Sequence, residues 1–230
     1  MKKTLITVIM AGALTYCKKP AQQVAGSVLF VKGQASATIA GQSQPARVGL
    51  KLAQGDKIET GKDGIVIIKL DGIGNAEVQF NTSFQLTNLS PDQKELGVPR
   101  GNMWLNVNRL TKGQKLRVRT PTSVAGVRGT RFFTFRAMGF TGTCHCEGEV
   151  EFENTNGDYK GTHYKHNLVF MKNGKTVVMN EDDFKKLGLP IRDTHTHSML
   201  DDSPVGPREI PLTEKQMQAL GGFLQKKFKS

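Results

Sequence analysis

A chain of 230 residues with 37% hydrophobic content holds enough apolar material for one core with extensions or two small cores. Its 25 glycines suit short strands and many turns, and count against a helical bundle. The formal net charge of +12 is spread along the chain and not clustered with aromatics. That pattern suits a solvated basic surface near anionic headgroups or envelope polymers better than a nucleic-acid groove.

Met1-Lys2-Lys3 is basic, Thr4 to Leu14 is a short apolar run, and Cys17 follows. Basic, apolar, then a processing site is the layout of a secretory signal. The run is too short for a permanent membrane span. The cysteine resembles a bacterial lipobox: Leu14 and Thr15 fit, and Tyr16 departs from the small residue usual there. Residues 1–16 are therefore expected to be a signal peptide, Cys17 the lipidation site, and 17–25 a lipidated tether.

Strand signals follow. Ser27–Lys32 is closed by Gly33, Ala35–Ala40 by Gly41, and Asp56–Thr60 is short and turn-bounded. Ile65–Leu70 is apolar on both parities, as in a strand buried on both faces. Ala76, Val78 and Phe80 alternate with Glu77 and Gln79, which predicts the polar pair outward. Phe84 and Leu86 repeat that pattern. Met103, Leu105 and Val107 form a further inward set, with Trp104 on the opposite parity. Trp104 is either on a covered second face or an exposed anchor, and its type favours cover. Lys115–Arg119 alternates charged and apolar residues, and Arg131–Phe135 is aromatic and β-branched. Glu147, Glu149, Glu151 and Glu153 share one parity and predict a solvated face, paired with Lys115, Arg117 and Arg119. Asn156-Gly157 and Asn173-Gly174 are hairpin signals. Short, evenly spaced strands with Gly/Asp/Asn turns indicate a sandwich, a barrel or a short β-solenoid.

The stretch Thr120-Pro-Thr-Ser-Val-Ala-Gly-Val-Arg-Gly-Thr-Arg-Phe132 joins two of these strands. Its residues Thr120, Pro121, Gly126, Arg128, Gly129 and Thr130 stand out. The glycines permit a bulge or close backbone approach. Arg128 reads as a brace whose donors bond backbone carbonyls, in preference to an anion ligand. This stretch resembles the T-P-x-x-x-A-x-x-R-G-T-x-F signature of FecR domains. Gly55-Asp-Lys-Ile-Glu-Thr-Gly61 is similar to that family's G-D-x-I-x-T-G turn. Gly64–Gly72, Gly101–Val107 and Glu147–Val150 fit its other strands in order. The resemblance spans roughly 26 to 153 and implies an exported all-β module with no catalytic residues to carry over. The sigma-regulator role familiar in that family goes with a cytoplasmic N-terminal region and a transmembrane helix, which this sequence is not expected to have.

Residues 180–230 are expected to form an extension with two helices. Asn180 caps the first, Gly188 stops it, and Phe184 and Leu187 are its docking face. Thr213 with Gln216 makes a capping box for the second, and Leu212 with Met217 a hydrophobic staple. Met217, Leu220, Leu224 and Phe228 form its apolar stripe. That stripe can dock on its own domain, lie on a membrane or bind a partner; docking is the simplest.

All five histidines lie after the signature: His145, His163, His166, His195 and His197. Cys144 and Cys146 sit among them and point to one side of a strand, with His145 on the other. Two thiolates and two imidazoles make a closed set for zinc, so Cys144, Cys146, His195 and His197 are the candidate metal ligands, with His163 and His166 as substitutes. Haem is the other cofactor such residues could hold. Small buried hydrophobes, or a geometrically poor disulfide, are the competing readings of the cysteines.

No nucleophile elbow, zincin or phosphate-loop pattern is present, so an enzyme is not expected. The expected fold is all-β, a short β-solenoid, barrel or sandwich of the FecR-domain type over 26–179, with a short helical C-terminal extension. The expected function is a non-enzymatic cell-envelope lipoprotein that binds a partner or ligand. It would be lipid-anchored to a membrane, the outer ahead of the inner, and contact an envelope protein or polymer but no nucleic acid. The alternative is a metal- or haem-binding envelope protein using the Cys/His cluster.

Overall fold

The computed structural model describes residues 24–108, 110–127, 129–137, 139–156, 160–163, 168–189 and 213–229. Cys17, Arg128, His166, His195, His197 and Leu212 lie outside the described residues, as does Gly157 of the first Asn-Gly pair.

Two nine-stranded sheets face each other, and the chain builds both at once. Strand β1 (Val24–Lys32) opens the first sheet, and the hairpin β2 (Ala35–Ile39)–β3 (Gln42–Pro45) starts the second. Strand β4 (Lys51–Ala53) returns to the first and β5 (Lys57–Thr60) to the second. From there hairpins alternate. The first sheet takes β6 (Ile65–Leu70) with β7 (Gly74–Val78), and the second β8 (Ser83–Leu89) with β9 (Gln93–Arg100). A lone strand, β10 (Met103–Val107), then joins the first. Strands β11 (Lys115–Arg119) and β12 (Ser123–Val127) go to the second, β13 (Arg131–Ala137) and β14 (Phe140–Glu147) to the first. Strands β15 (Val150–Asn154) and β16 (Lys160–His163) complete the second sheet, β17 (Leu168–Lys172) and β18 (Lys175–Met179) the first.

Because β10 crosses alone, β11 comes back running the same way as β9, and theirs is the parallel pairing in a ladder otherwise antiparallel. The first sheet runs from β18 to β4 and the second from β16 to β3, so neither closes. Of the three architectures the strand spacing allowed, this is the open sandwich.

Alternation decides what enters the space between the sheets. Val66 and Ile68 from the first sheet meet Ile58, Phe84 and Leu86 from the second, all at most 1% exposed. In β6 every residue except Lys69 is buried, as its two apolar parities predict. The Asn173-Gly174 turn has φ of 49° and 79°, the left-handed pair that a tight hairpin between β17 and β18 requires.

Parity tells which side a residue faces, not whether that side is wet. Glu77 and Gln79 do point away from the inner core, yet they are 0% and 1% exposed. The outward direction expected from alternation holds, and the side it leads to is covered. The Gln79 Nε2 donates to Glu77 Oε1 at 3.1 Å. On the outer face of the first sheet one register row is largely apolar: Ile67–Glu77–Trp104–Phe133–Cys144–Leu168–Met179, across six ladders. Trp104 is 0% exposed, the covered position its type favoured.

Two helices close one end of that outer face. Helix α1 (Glu181–Leu187) carries the full Asn180–Asp183 capping box, and Gly188 ends it in the left-handed conformation. Helix α2 (Glu214–Lys229) starts at Thr213, whose N–H donates to Gln216 Oε1 and whose Oγ1 accepts from the Gln216 N–H. Leu220 and Leu224 of α2 join Phe184 of α1 on Phe140, Phe170 and Met179 of the sheet. The Phe228 ring stacks on Phe140 with centroids 4.8 Å apart, and Lys175 Nζ donates to the Phe228 carbonyl. Helix α2 therefore docks on its own domain. Met217 is 39% exposed, so the apolar stripe is narrower than the sequence pattern indicates. The buried line runs through Leu220, Gly221 and Leu224.

Candidate functional site

The signature stretch forms a corner, and its polar residues serve the backbone. Thr120 Oγ1 accepts the Ser123 N–H at 3.0 Å, and the Thr120 N–H donates to the Ser123 carbonyl at 2.8 Å. This threonine turn, with Pro121 at its tip, reverses β11 into β12. Gly129 has φ of 65°, where the chain leaves the second sheet for the first. Thr130, 1% exposed, accepts the Val107 N–H through its carbonyl at 2.8 Å. Gly126 lies mid-strand with ordinary surroundings, and no bulge or close approach occurs there.

The Gly55–Gly61 turn has a parallel logic. Buried Asp56 accepts the Ala40 N–H at 3.0 Å and the Ala53 N–H at 2.8 Å. One carboxylate thereby ties the β2–β3 turn to the end of β4. Buried Thr60 donates to the Gln79 carbonyl and accepts the Thr82 N–H, clamping β5 to the crossing after β7. Sequence reasoning named this motif without seeing that both residues act on backbone amides. The signal was available: short polar residues beside glycines satisfy backbone groups at turns.

The outer face of the second sheet is polar and wet. Across it, Glu95, Arg117, Gly126, Glu151 and Thr162 stand in one register row. Lys57, Gln85, Gly97, Arg119, Val124, Glu153 and Lys160 stand in the next. Arg119 grips Glu95 with two nitrogens, at 3.0 and 3.3 Å. That hydrogen bond raises the Arg119 pKa above its ordinary value, partial burial works against it, and the charges of Glu95 and Glu153 add to the rise. The side chain missing at Gly126 leaves a shallow pit beside Arg117, whereas the Thr87 hydroxyl fills the space over Gly97. The four-glutamate face expected from parity breaks at Gly148, a turn with φ of 83°. Glu147 stays on the first sheet and pairs with Arg131 at 3.2 Å, while Glu151 and Glu153 project from β15.

The cysteine pair lies elsewhere. Cys144 and Cys146 are each 6% exposed and pack with Trp104, Phe133 and Leu168 on the outer face of the first sheet. Their sulfurs are 3.8 Å apart. His145 between them points the other way, into the inner core, and stacks on Phe152 with ring centroids 4.8 Å apart. It therefore faces away from the thiols. His163 lies in β16 on the second sheet. Among the described residues no group of three or more His, Cys, Asp or Glu side chains is placed to hold a metal. The proposed partners His195 and His197 are outside the described residues.

Comparison with known proteins gives one family. The model of the family described as FecR protein matches residues 56–151, from the Asp56 turn to the middle of β15. No curated protein matches the chain. A solved structure assigned as an anti-sigma factor from Parabacteroides distasonis shares 19% identity at a TM-score of 0.49. That similarity covers 56% of this chain and 62% of the other, so the chain spans less than two thirds of that protein. A second crystal structure of an anti-sigma factor from that organism gives the same values. A cell surface anchoring domain shares 20% identity at a TM-score of 0.27, over 28% of this chain and 87% of the domain.

Proposed function

We propose that this protein, whose residues 56–151 match the model of the FecR family, is a non-enzymatic cell-envelope lipoprotein whose β module binds a partner through the open outer face of its second sheet. The observation that carries the reading is the contrast between the two outer faces. One is apolar and buried at Trp104, Cys144 and Phe170. The other sets both signs of charge in register and leaves Arg117, Arg119, Glu151, Glu153 and Thr162 exposed. A flat polar face with fixed charges of both signs selects a complementary protein surface through register and sign. It does not present the single-sign stripe that nucleic acid needs. The partner proposed is an envelope protein, and its contact would centre on the pit at Gly126.

A photo-crosslinking residue in place of exposed Thr162 is expected to give one discrete adduct in cell envelopes. Arg117→Glu should abolish that adduct. The same probe at Lys175, on the far edge of the first sheet, should give none. Equal labelling from both positions, or none from Thr162, would end the reading.

Attachment in this proposal runs through lipid on Cys17, motivated by its place after the apolar run. On detergent phase separation the wild-type protein should enter the detergent phase, and Cys17→Ser should move it to the aqueous phase. A wild-type protein already in the aqueous phase would show that no lipid is present. Among the described residues no helix is long and apolar enough to cross a membrane.

A further inference from the structure

We infer that the exposed side of α2, with the β17–β18 turn beside its last residues, is a docking surface for an anionic phospholipid bilayer. The inference does not rest on the partner-binding face, which lies on the other sheet, nor on lipid at Cys17, which the test removes.

Folding gathers the charge. Lys215 to Lys229 holds four lysines and no acidic residue, and Met171 to Met179 holds Lys172 and Lys175 and no acidic residue. Residues 53 positions apart meet where Lys175 Nζ donates to the Phe228 carbonyl at 3.4 Å. A depression there is lined by Lys172, Lys175 and Lys229 over the stacked rings of Phe140 and Phe228, and by no acidic side chain among the described residues. Lys172 Nζ stands 4.8 Å above the Phe140 ring. Lys172 and Lys175 thus have fixed places without a carboxylate to neutralise them, and each ammonium keeps donors for an outside oxygen.

The helix extends this charge along a line. Lys215, Gln218, Gly222, Lys226 and Lys229 are exposed and fall on one side of α2, opposite the buried Leu220 and Leu224. A β-carbon at Gly222 would meet no atom within 4 Å, so nothing stands over the middle of the line. From Lys215 to Lys229 it is about 21 Å long at the helical rise. One phosphate cannot bridge that length, whereas a plane of headgroups can. Glu214, the acidic residue of α2, accepts from Gln218 Nε2 at the end away from the depression. Lys227 turns to the other flank, over the Phe223 ring.

Residue type favours a bilayer over a discrete ligand. Every cation in this set is lysine, a point charge on a flexible stem, whereas arginine is the residue that holds one phosphate or carboxylate in a fork. The apolar side of α2 is occupied by its own domain, so the helix does not insert and the attraction is electrostatic. Each lysine near an anionic surface strengthens binding roughly fivefold. Salt weakens the attraction, as the screening length shrinks from about 10 Å at 0.1 M to about 3 Å at 1 M. On an anchored protein such a patch is a second attachment. A bilayer beside Lys175 offers no protein to a crosslinker at that position, which therefore still gives no discrete adduct.

The test uses the full chain with Cys17→Ser and co-sedimentation with vesicles. Vesicles of phosphatidylcholine alone report any uptake through the apolar run of residues 4–14. Including about a quarter phosphatidylglycerol should raise binding about tenfold or more in 0.1 M salt, and 1 M salt should remove the gain. Lys172→Gln/Lys175→Gln/Lys226→Gln/Lys229→Gln should bind no better than the phosphatidylcholine level, with the far-ultraviolet circular dichroism of the parent. Lys226→Gln/Lys229→Gln, which leaves the Lys175 hydrogen bond in place, should already lower binding roughly tenfold. Lys32→Gln/Lys51→Gln/Lys62→Gln/Lys69→Gln removes the same charge around β1, β4 and β6, toward the opposite edge of the first sheet, and should keep the gain. Equal loss in the two quadruple variants would overturn the inference, because net charge alone would then account for binding. Absence of any gain with phosphatidylglycerol would also overturn it. Release from vesicles by millimolar inorganic phosphate, with chloride of equal ionic strength inactive, would overturn it in favour of a discrete phosphate site. Capture by a soluble anionic polysaccharide but not by vesicles would overturn it in favour of an envelope polymer.

Discussion

Trp104→Ala is expected to lower the unfolding free energy by about 3–5 kcal/mol, the range for deleting a large aromatic from a packed site. Trp104 is 0% exposed although it faces away from the space between the sheets. Its ladder partners are Glu77 on one side and Phe133 on the other, and Cys144 lies one strand further on. Removing the indole leaves a cavity in the middle of the outer apolar face. The Glu77 carboxyl beside it would then face a void or water. Urea titration followed by far-ultraviolet circular dichroism measures the change. A midpoint that hardly moves would mean that the outer face is not a second core. Trp104→Phe keeps most of the volume and should cost less than half as much as alanine.

This second core shows where sequence reading stops. Alternation in β7 and β10 placed Ala76, Val78, Met103 and Leu105 on the inner side, and they are there. The same alternation placed Glu77 and Trp104 together on the other side, and that is also right. What no local pattern states is whether a side is covered. A glutamate implies water by its type, and a tryptophan implies cover. The two stand in the same register row, so one had to mislead. The strand Gln93–Arg100 was illegible for a different reason. Gly97 and Pro99 weaken any local strand signal. Pairing with β8 on one side and parallel β11 on the other overrides it. The helical ends were the most legible part, because Asn180, Gly188, Thr213 and Gln216 act on backbone groups one turn away and need nothing distant.

The candidate sites were legible in proportion to how local they are. Cys144 and Cys146 were read to one side of a strand and His145 to the other, which the packing reproduces. The bulge at Cys146 was invisible, since it is a property of the pairing with β13 and not of β14 alone. The charged rows on the second sheet were half visible. Lys115, Arg117 and Arg119 alternate in one segment, and Glu151 and Glu153 in another. Their joining across Gly126 and Val124 is a matter of register. Glu147 and Glu149 were wrongly counted with them, because Gly148 ends one strand before β15 begins in the other sheet.

Two glycines should respond in opposite directions to alanine, and the one outside the signature stretch should matter more. Gly74→Ala is expected to cost on the order of 4 kcal/mol, combining a strained backbone angle with a forced separation of strands. Gly74 has φ of 145°, which side-chain-bearing residues rarely adopt, and a β-carbon there would lie 2.1 Å from the Asn106 carbonyl oxygen. That carbonyl cannot retreat without opening the β7–β10 ladder, where Gly74 pairs with Val107 and Asn75 with Asn106. The adjacent Asn108 N–H, which donates to the Ile73 carbonyl at 2.7 Å, would move with it. Gly126 belongs to the signature stretch, yet the nearest atom to a β-carbon there is the Glu151 β-carbon at 3.6 Å, an ordinary contact. Gly126→Ala should therefore leave stability unchanged or raise it by up to about 1 kcal/mol, by restricting the unfolded chain. Paired urea midpoints for the two variants decide the matter. If Gly126→Ala proved the more damaging, the role of that glycine would lie in the fold and not in the pit it leaves beside Arg117. If instead it folds normally but loses the Thr162 crosslink, the pit itself is part of the partner-binding surface.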